Sequence, residues 1–194
     1  MAIRSKDDAE QLRERARSMY FSNETVDWFL GSASAAQLRA VMDLLEYELD
    51  VRKRNKRARL YRRAKFPQVK SFEGYDFSEV GMPDGYTEDD LKSLSFVDAA
   101  QDFVFYGQTG RGKTHLAIAI GNACVKAGKT VRFYTTAELA MALGRANREH
   151  ALEACMRDIS KNDLIILDEF GYGLICKFIR TLRFRYRTQS DMYG

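Results

Sequence analysis

A chain of 194 residues is long enough to bury a hydrophobic core, with room for one α/β domain and a smaller companion domain. Its formal net charge of +4 comes entirely from the last 24 residues, because basic and acidic residues balance over residues 1–170, so overall charge is no evidence for a nucleic-acid partner. Three widely spaced cysteines without a C-x-x-C pair, a charged N-terminus and the lack of a long apolar run predict a cytoplasmic protein with reduced thiols and no membrane association.

Residues 1–66 are predicted to form a small helical N-terminal region. A charged helix is expected over residues 8–19, followed by a short apolar element at residues 25–30. Trp28, the only tryptophan, is expected to be a core residue rather than a platform for base stacking. A longer helix begins near Ser34 and places four apolar residues at helical spacing: Leu38, Val41, Leu45 and Leu49.

The long helix continues into a strongly basic stretch, residues 52–65, which carries nine cations and no anion. Two or three cations would be enough to complement the helix dipole, whereas nine like charges repel one another unless a polyanion neutralises them. The stretch therefore predicts contact with a DNA backbone, with little sequence selectivity; a solvated helix end is the alternative. The predicted DNA-contacting residues are Arg52, Lys53, Arg54, Lys56, Arg57, Arg59, Arg62, Arg63 and Lys65.

Pro67 is expected to end this helix and to begin a linker, residues 67–98, which is acidic and contains scattered aromatic residues. Two interpretations of these aromatic residues are open. Some of them cover the base of a nucleotide, or all of them pack in the core. They are Phe72, Tyr75, Phe77 and Tyr86.

A phosphate-binding loop follows the linker. Residues 102–106 are mostly apolar and predict a buried strand, and residues 113–127 predict a helix. Between them, Gly-Gln-Thr-Gly-Arg-Gly-Lys-Thr fits the P-loop pattern G-x-x-x-x-G-K-[ST] at every required position. The order strand, glycine-rich loop, helix distinguishes a P-loop from an ordinary glycine turn. The predicted nucleotide-binding residues are Gly107, Gln108, Thr109, Gly110, Arg111, Gly112, Lys113, Thr114 and His115.

The residue types of this loop suit a nucleoside triphosphate and its metal ion. The three glycines let the backbone amides turn toward the phosphates, and the amino end of the following helix attracts an anion. Lys113 is expected to reach the β- and γ-phosphates, and the Thr114 hydroxyl is expected to ligate Mg²⁺.

Strands and helices alternate after the loop, which predicts a parallel α/β sheet with helices on its faces. A strand is expected at residues 129–134. The pattern Thr135-x-x-Glu138 is typical of a capping box and begins a helix that ends near Gly144, and another helix is expected at residues 147–159.

Residues 164–167 are four consecutive apolar residues, as expected for a strand that is covered on both faces, and two carboxylates follow them. Asp168 is expected to hold Mg²⁺ directly or through water at the carboxyl end of this strand. Glu169 is the predicted catalytic residue that orients and deprotonates the attacking water, with Lys113 as the catalytic cation. The alternative is an ordinary acidic loop after a strand, but the position of Asp168 and Glu169 downstream of a P-loop favours the metal site.

These residues resemble the IstB-like ATP-binding proteins, relatives of the DnaC helicase loaders within the AAA+ class. The resemblance implies a P-loop ATPase core at residues 99–173 that binds ATP with Mg²⁺, assembles with itself on DNA and helps an insertion-sequence transposase to engage its target. It also implies that the N-terminal region handles DNA or a protein partner. The matching stretches, in order within residues 35–173, are 65–67 with 72–77, 107–120, 131–133 with 137–139, and 163–172.

The family pattern is expected to end near residue 173, after which residues 174–194 form an atypical basic and aromatic tail. The resemblance implies that family members continue with a strand that ends in a polar sensor residue and lies between the P-loop strand and the Asp168 strand, and then with helices that bear an arginine finger. A frameshifted or prematurely ended copy, with a central vacancy in its sheet, is therefore expected. The alternation of Leu182, Phe184 and Tyr186 with arginines predicts an edge strand or a basic helix, because a central strand needs two apolar faces.

Three functions are compatible with the sequence. The first is a DNA-associated ATPase that helps a transposase, with hydrolysis impaired by the loss of the sensor strand and the arginine finger. The second is a non-enzymatic remnant that binds DNA or a partner, and the third is a replicative helicase loader. The sequence is compatible both with an enzyme and with a protein that does not hydrolyse ATP.

Overall fold

The computed structural model describes residues 6–78, 80–108, 110–170 and 176–180. Its contacts divide the chain into two compact units, Met1–Lys56 and Arg57–Gly194. The boundary falls within the longest helix of the described chain, so this helix contributes to both units.

The described part of the first unit is helical. It contains α1 (Lys6–Ser18), α2 (Asn23–Ser32) and the first part of α3 (Ala35–Ala64). Ser22 caps α2 by accepting a hydrogen bond from the backbone N–H of Thr25 at 3.2 Å. Six buried residues of this unit form one apolar cluster: Leu12, Ala16, Val26, Leu30, Leu38 and Leu45.

The prediction that Trp28 is a core residue is wrong, because its surface is 69% exposed. Val26 and Leu30 lie four residues apart on α2 and form its buried face. Trp28 is two residues from each of them, which places it about 200° around the helix from that face. The apolar character of the segment was a correct signal, but the helical phase decides which of its residues is buried.

The second unit alternates helices and strands. After α3 it contains α4 (Glu88–Ser93), α5 (Ser95–Asp98), β1 (Phe103–Phe105), α6 (Lys113–Lys126), β2 (Val131–Thr135), α7 (Thr136–Arg148), α8 (Leu152–Ser160), β3 (Leu164–Phe170) and β4 (Cys176–Arg180). The capping box is confirmed, since Thr135 and Glu138 each bond the backbone N–H of the other. The helix that it begins ends at Arg148 rather than near Gly144, because a glycine inside a helix weakens it without ending it.

The four strands form one sheet in the order β1-β4-β3-β2. β2 and β3 pair in parallel, as predicted, whereas β4 is antiparallel to both β1 and β3. Strands β1, β2 and β3 therefore run in the same direction and β4 runs against them.

The expected vacancy in the middle of the sheet is wrong, because residues 176–180 of the tail form a strand that fills it. β4 lies between β1 and β3 and pairs with both of them, at Phe103–Phe105 and at Ile165–Phe170. Unpaired ladder groups on two neighbouring strands are costly, and pairing with the next available segment removes this cost. Leu182, Phe184 and Tyr186, for which an edge strand or a basic helix was predicted, lie outside the described residues, so that prediction stays untested.

The core of the second unit lies between α6 and the sheet. Ten residues of α6 are buried, among them Ile118, Ile120 and Cys124, and they meet Leu164 and Ile166 of β3 in one apolar cluster. Gly121 allows this approach, because a Cβ at this position would lie 2.7 Å from side-chain carbons of both Ile166 and Phe66. The position of α6 against β3 thus depends on the absence of a side chain at residue 121.

The prediction of a fully buried strand at residues 102–106 is only partly correct. β1 has three residues, and Val104 is 45% exposed while its neighbours are half-buried. Among the described strands, β1 pairs only with β4, so it is an edge strand of the described sheet and one of its faces is open.

Candidate nucleotide site

The three glycines between β1 and α6 have the conformation that the loop pattern predicts. Gly107, Gly110 and Gly112 have φ values of 137°, 83° and 79°, which lie in the region that L side chains rarely adopt. Gly112 is also the residue that precedes the first turn of α6. The loop therefore ends at the amino end of a 14-residue helix, and the positive end of the helix dipole favours an anion there. Thr109 lies outside the described residues.

Lys113 holds the loop closed from within. Its side chain is buried, and its Nζ donates hydrogen bonds to the carbonyl oxygens of Gly107 and Gln108, each at 2.6 Å. These bonds place the ammonium group against the loop backbone rather than in bulk solvent. A cation at this place is suited to a phosphate chain that lies along the same loop.

A cleft of about 390 Å³ opens beside the loop. The linker and β1 contribute its apolar walls, and the loop contributes two cationic side chains, Arg111 and Lys113. The residues that line it are Tyr75, Val80, Gly81, Val104, Phe105, Tyr106, Gly107, Gln108, Arg111, Lys113 and Leu116. A volume of this size, with apolar walls and a few polar groups, is typical of small-molecule sites.

The linker lies on α6, which the sequence did not indicate. His115 Nε2 is 2.9 Å from the carbonyl oxygen of Ser71, so the imidazole bonds the linker backbone. Of the linker residues Phe72, Tyr75, Phe77 and Tyr86, Tyr75 alone lines the cleft, and all four pack against the core cluster. Burial, and then the neighbouring Asp76 carboxylate, raise the pKa of Tyr75, so its phenol stays protonated at neutral pH.

Asp168 and Glu169 lie at the carboxyl end of β3, as predicted, but in different surroundings. Asp168 is buried, its Oδ1 accepts a hydrogen bond from the N–H of Glu169 at 2.7 Å, and its carbonyl oxygen accepts one from Thr136 Oγ1 at 3.0 Å. Glu169 is exposed and has a φ of 60°. The hydrogen bond from Thr136 to Asp168 could not be predicted from the sequence, which shows only that Thr136 directly follows the capping residue Thr135.

The strand register puts Asp168 and the loop at the same edge of the sheet. Phe105, two residues before the loop, lies opposite Lys177 of β4. On the other side of β4, the register shifts between Leu167 and Phe170, so Asp168 and Glu169 together face the same Lys177 in a β-bulge. The two backbones are thus two strand spacings apart, about 10 Å. A nucleotide with its metal ion can bridge a separation of this size.

The donor set fits Mg²⁺ bound with a nucleotide. Magnesium prefers oxygen ligands and is commonly held by one or two protein groups together with phosphates and water. The Thr114 hydroxyl at the start of α6 and the buried Asp168 carboxylate are groups of this kind. Within the part of the chain that the structure describes, no cluster of three or more His, Cys, Asp or Glu side chains forms a separate metal site.

The nine basic residues at the end of α3 are all exposed. Those of the first unit are partly neutralised, since Arg52 pairs with Glu48 at 2.8 Å and Lys53 pairs with Asp50 at 3.6 Å. The anions come from the preceding turn, which the charge count over residues 52–65 did not include. In the second unit, Leu60 and Ala64 are the buried residues of the helix and Tyr61 is partly buried against the same core, whereas Arg57, Arg59, Arg62 and Arg63 face solvent.

No helix in the described ranges is both long enough and apolar enough to cross a lipid bilayer. α3 has the length, with 30 residues, but it carries the basic stretch.

The chain is similar to ATP-binding proteins of insertion sequences. The family model of the IstB-like ATP-binding proteins matches residues 20–186, which extends past residue 173 into the tail. A protein named for ATP binding in insertion sequence IS232 of Bacillus thuringiensis subsp. berliner is 33% identical over 160 residues, 80% of this chain and 64% of that protein. Its counterpart in insertion sequence IS21 of Pseudomonas aeruginosa is 35% identical over 134 residues, 66% of this chain and 51% of that protein.

The replicative helicase loader DnaC of Escherichia coli K12 is also similar, with 30% identity over 114 residues, 58% of this chain and 46% of the loader. The chain spans about half to two thirds of the length of the ATP-binding proteins of insertion sequences IS232, IS5376 and IS21.

Proposed function

This chain belongs to the IstB-like ATP-binding protein family, and from that premise we propose that it binds ATP with Mg²⁺ at the loop between β1 and α6. The observation that carries the proposal is the conformation of this loop. Three glycines at positive φ precede the amino end of α6, and the Lys113 ammonium lies against the loop carbonyls. Gly107, Gln108, Gly110, Arg111 and the backbone up to His115 form the phosphate cradle, with Thr109 assigned from the motif alone.

Thr114 and Asp168 are the proposed ligands of Mg²⁺, which when bound neutralises phosphate charge and orients the terminal phosphate. Glu169 is the proposed base for the attacking water. Its exposure and its place on the bulge beside Asp168 leave its carboxylate accessible at the same edge of the sheet.

Hydrolysis by this chain is proposed to be slow. In the family, the strand between the P-loop strand and the Asp168 strand ends in a polar sensor residue at the phosphate edge. Here β4 occupies that place and runs in the opposite direction, so its carboxyl end, Arg180, lies at the other edge of the sheet. A residue at the end of this strand therefore does not reach the position that the sensor requires.

At the level of the cell, the proposal is a DNA-associated helper of a transposase. It is supported by the similarity to ATP-binding proteins of insertion sequences and by the exposed cations at the end of α3. In this proposal the helical region 1–66 contacts DNA or the partner protein, residues 67–98 link it to the core, and residues 99–173 hold the nucleotide. Self-assembly on DNA is part of the same proposal.

A helicase loader is the second candidate, favoured by the similarity to DnaC. A remnant that binds DNA or a partner without turnover is the third, favoured by the direction of β4. The two cellular roles differ in the partner protein, so co-purification with a transposase or with a replicative helicase separates them.

Measurement of ATP binding and hydrolysis by purified protein, beside a Lys113→Ala variant, tests the molecular proposal. We expect the unaltered chain to bind Mg–ATP and the variant to bind it about 100-fold more weakly, since a buried charged hydrogen bond contributes up to about 3 kcal/mol. Lys126→Ala, at the exposed end of the same helix, serves as the control and is expected to bind normally. Equal binding by Lys113→Ala and the unaltered chain would remove the proposed site, and rapid hydrolysis that Lys113→Ala abolishes would remove the proposal of slow turnover.

A further inference from the structure

A short segment of the linker, residues 70–75, lies along the first turns of α6 and is here termed the strap. Two side chains of α6 bond its backbone. His115 Nε2 lies 2.9 Å from the Ser71 carbonyl oxygen, and Asn122 Nδ2 donates to the Lys70 carbonyl oxygen at 2.8 Å. Both bonds join residues more than 40 positions apart in the sequence, so they fix the strap to the helix that carries the phosphate loop.

The strap ends in a turn that presents Tyr75. The N–H of Tyr75 donates to the carbonyl oxygen of Phe72 at 3.1 Å, and Gly74 has a φ of 72° at the third position of the turn. A type II turn requires such a positive φ at that position, which explains the glycine. The turn is therefore a defined structure that sets the direction of the tyrosine.

Tyr75 lies directly on the phosphate loop. A Cβ placed at Gly112 would be 3.0 Å from Tyr75 Cε2 and 3.3 Å from its hydroxyl oxygen. The ring thus occupies the space that a side chain at residue 112 would take, at the residue where the loop becomes α6. It is 5.1 Å from the His115 ring and 4.9 Å from the Phe77 ring, centroid to centroid, which restricts its movement from two sides.

We propose that Tyr75 is a positioning residue for the phosphate loop, acting through Gly112, and that His115 holds it in place through Ser71. The ligand that this arrangement serves is the polyphosphate chain of the nucleotide, so the inference rests on the proposed ATP site and deepens it. Glycine-rich backbone has many accessible conformations, and ordering it reduces the affinity for a ligand. An aromatic ring packed on Gly112 removes part of this freedom before the ligand binds.

Affinities for ATP and for inorganic tripolyphosphate, which lacks the nucleoside, test the role. We expect Tyr75→Ala and His115→Ala to weaken the binding of both ligands by a similar factor, roughly tenfold. Tyr75→Phe keeps the ring carbon that faces Gly112, and His115→Gln offers an amide N–H that can replace Nε2, so both conservative variants are expected to bind like the unaltered chain. Tyr86→Ala is the matched control, because Tyr86 packs on Phe103 in the same core and does not line the cleft.

Hydrogen exchange without any ligand gives a second readout. The amides of residues 111–114 are expected to exchange faster in Tyr75→Ala and His115→Ala than in the unaltered chain, and at an unchanged rate in the two conservative variants and in Tyr86→Ala. Unchanged exchange in Tyr75→Ala would overturn the inference. Weaker binding of ATP with normal binding of tripolyphosphate would also overturn it, because the ring would then act on the nucleoside.

Failure of the unaltered chain to bind either ligand would contradict the proposed ATP site, and with it the purpose assigned to the strap. The exchange rates of the loop amides would still decide whether Tyr75 orders the loop. The two failures are therefore distinguishable.

Discussion

Two helices of the second unit are both proposed to meet phosphate, and they are built in opposite ways. α6 has ten buried residues, and its proposed contact with a phosphate chain would come from backbone amides at its fixed amino end. The part of α3 within this unit buries only Leu60 and Ala64, and its proposed contact with phosphate would come from long, exposed side chains. The first arrangement suits a ligand of one size and shape, whereas the second suits a polyanion of any sequence.

The two proposed phosphate sites also differ in how strongly water and salt weaken their electrostatic interactions. A site of fixed amides and one buried ammonium lies in a cleft where water and salt screen little. Exposed arginines interact through screened charges and released counterions, so their contribution falls steeply with ionic strength. ATP binding and DNA binding by the same chain should therefore differ in their salt dependence.

Removal of four arginines from α3 is expected to have the largest effect. In the variant with Arg57, Arg59, Arg62 and Arg63 changed to Ala, DNA affinity should fall. The slope of log K against log salt, which is negative, should become less steep by about 0.9 for each phosphate that the protein no longer neutralises. ATP affinity should not change, because none of these residues lines the cleft. Fluorescence anisotropy with a duplex over a series of salt concentrations measures the slope.

A variant with the same reduction in positive charge provides the control for this experiment. Lys126, Arg148, Arg157 and Lys161 are exposed and lie outside α3, so their change to Ala should leave the slope nearly unchanged. Equal slopes for the α3 variant and the unaltered chain would show that the end of α3 is not the DNA-contacting surface.

Substitution at Gly121 is expected to have the next largest effect, on the free energy of unfolding. A methyl group at residue 121 would lie 2.7 Å from carbons of Ile166 and Phe66, so Gly121→Ala should destabilise the protein by about 1–3 kcal/mol in spite of its better helix propensity. Gly144→Ala in α7 is the matched control, since its Cβ would meet nothing closer than 3.7 Å, and it should be stabilising by up to about 1 kcal/mol. A urea titration in which both variants are more stable would contradict the close packing of α6 on β3.

The smallest expected effect concerns Cys124, whose thiol should not react with an alkylating agent. Burial raises the pKa of Cys124 on α6 to about 12, and the thiolate is the reactive form. Between pH 7 and pH 9, fewer than about one in a thousand Cys124 side chains should be ionised, so alkylation of a Cys176→Ser variant should label Cys155, which is partly exposed, and spare Cys124. Mass spectrometry identifies the labelled residue, and rapid labelling of Cys124 in the folded protein would show that α6 opens to solvent.

The sequence predicted the features that depend on near neighbours. The glycine conformations of the loop and the capping box at Thr135 are set by a few adjacent residues, and Gly107, Gly110 and Gly112 and the capping box have the expected backbone. The buried run of β3 was also recognisable, because its first three residues, Leu164, Ile165 and Ile166, are apolar and buried.

The features that depend on distant residues were not predicted. The position of β4 between β1 and β3 follows from strand pairing across the sheet, and an apolar pattern does not specify the partner of a strand. The contact of Tyr75 with Gly112 and the exposure of Trp28 likewise depend on packing and helical phase. The sequence did predict that Asp168 and the loop hold the same Mg²⁺, but the distance between them is set by the register through β4, which no single segment contains.

The measurement that tests the central claim most directly is a crystal structure of the chain with Mg²⁺ and a non-hydrolysable ATP analogue. We expect the β- and γ-phosphates to lie along residues 107–114, with Mg²⁺ about 2.1 Å from the Thr114 hydroxyl and bonded to the Asp168 carboxylate directly or through one water. A nucleotide bound elsewhere, or a metal ion beyond the reach of Asp168 through one water, would contradict the claim that the loop and β3 form one site.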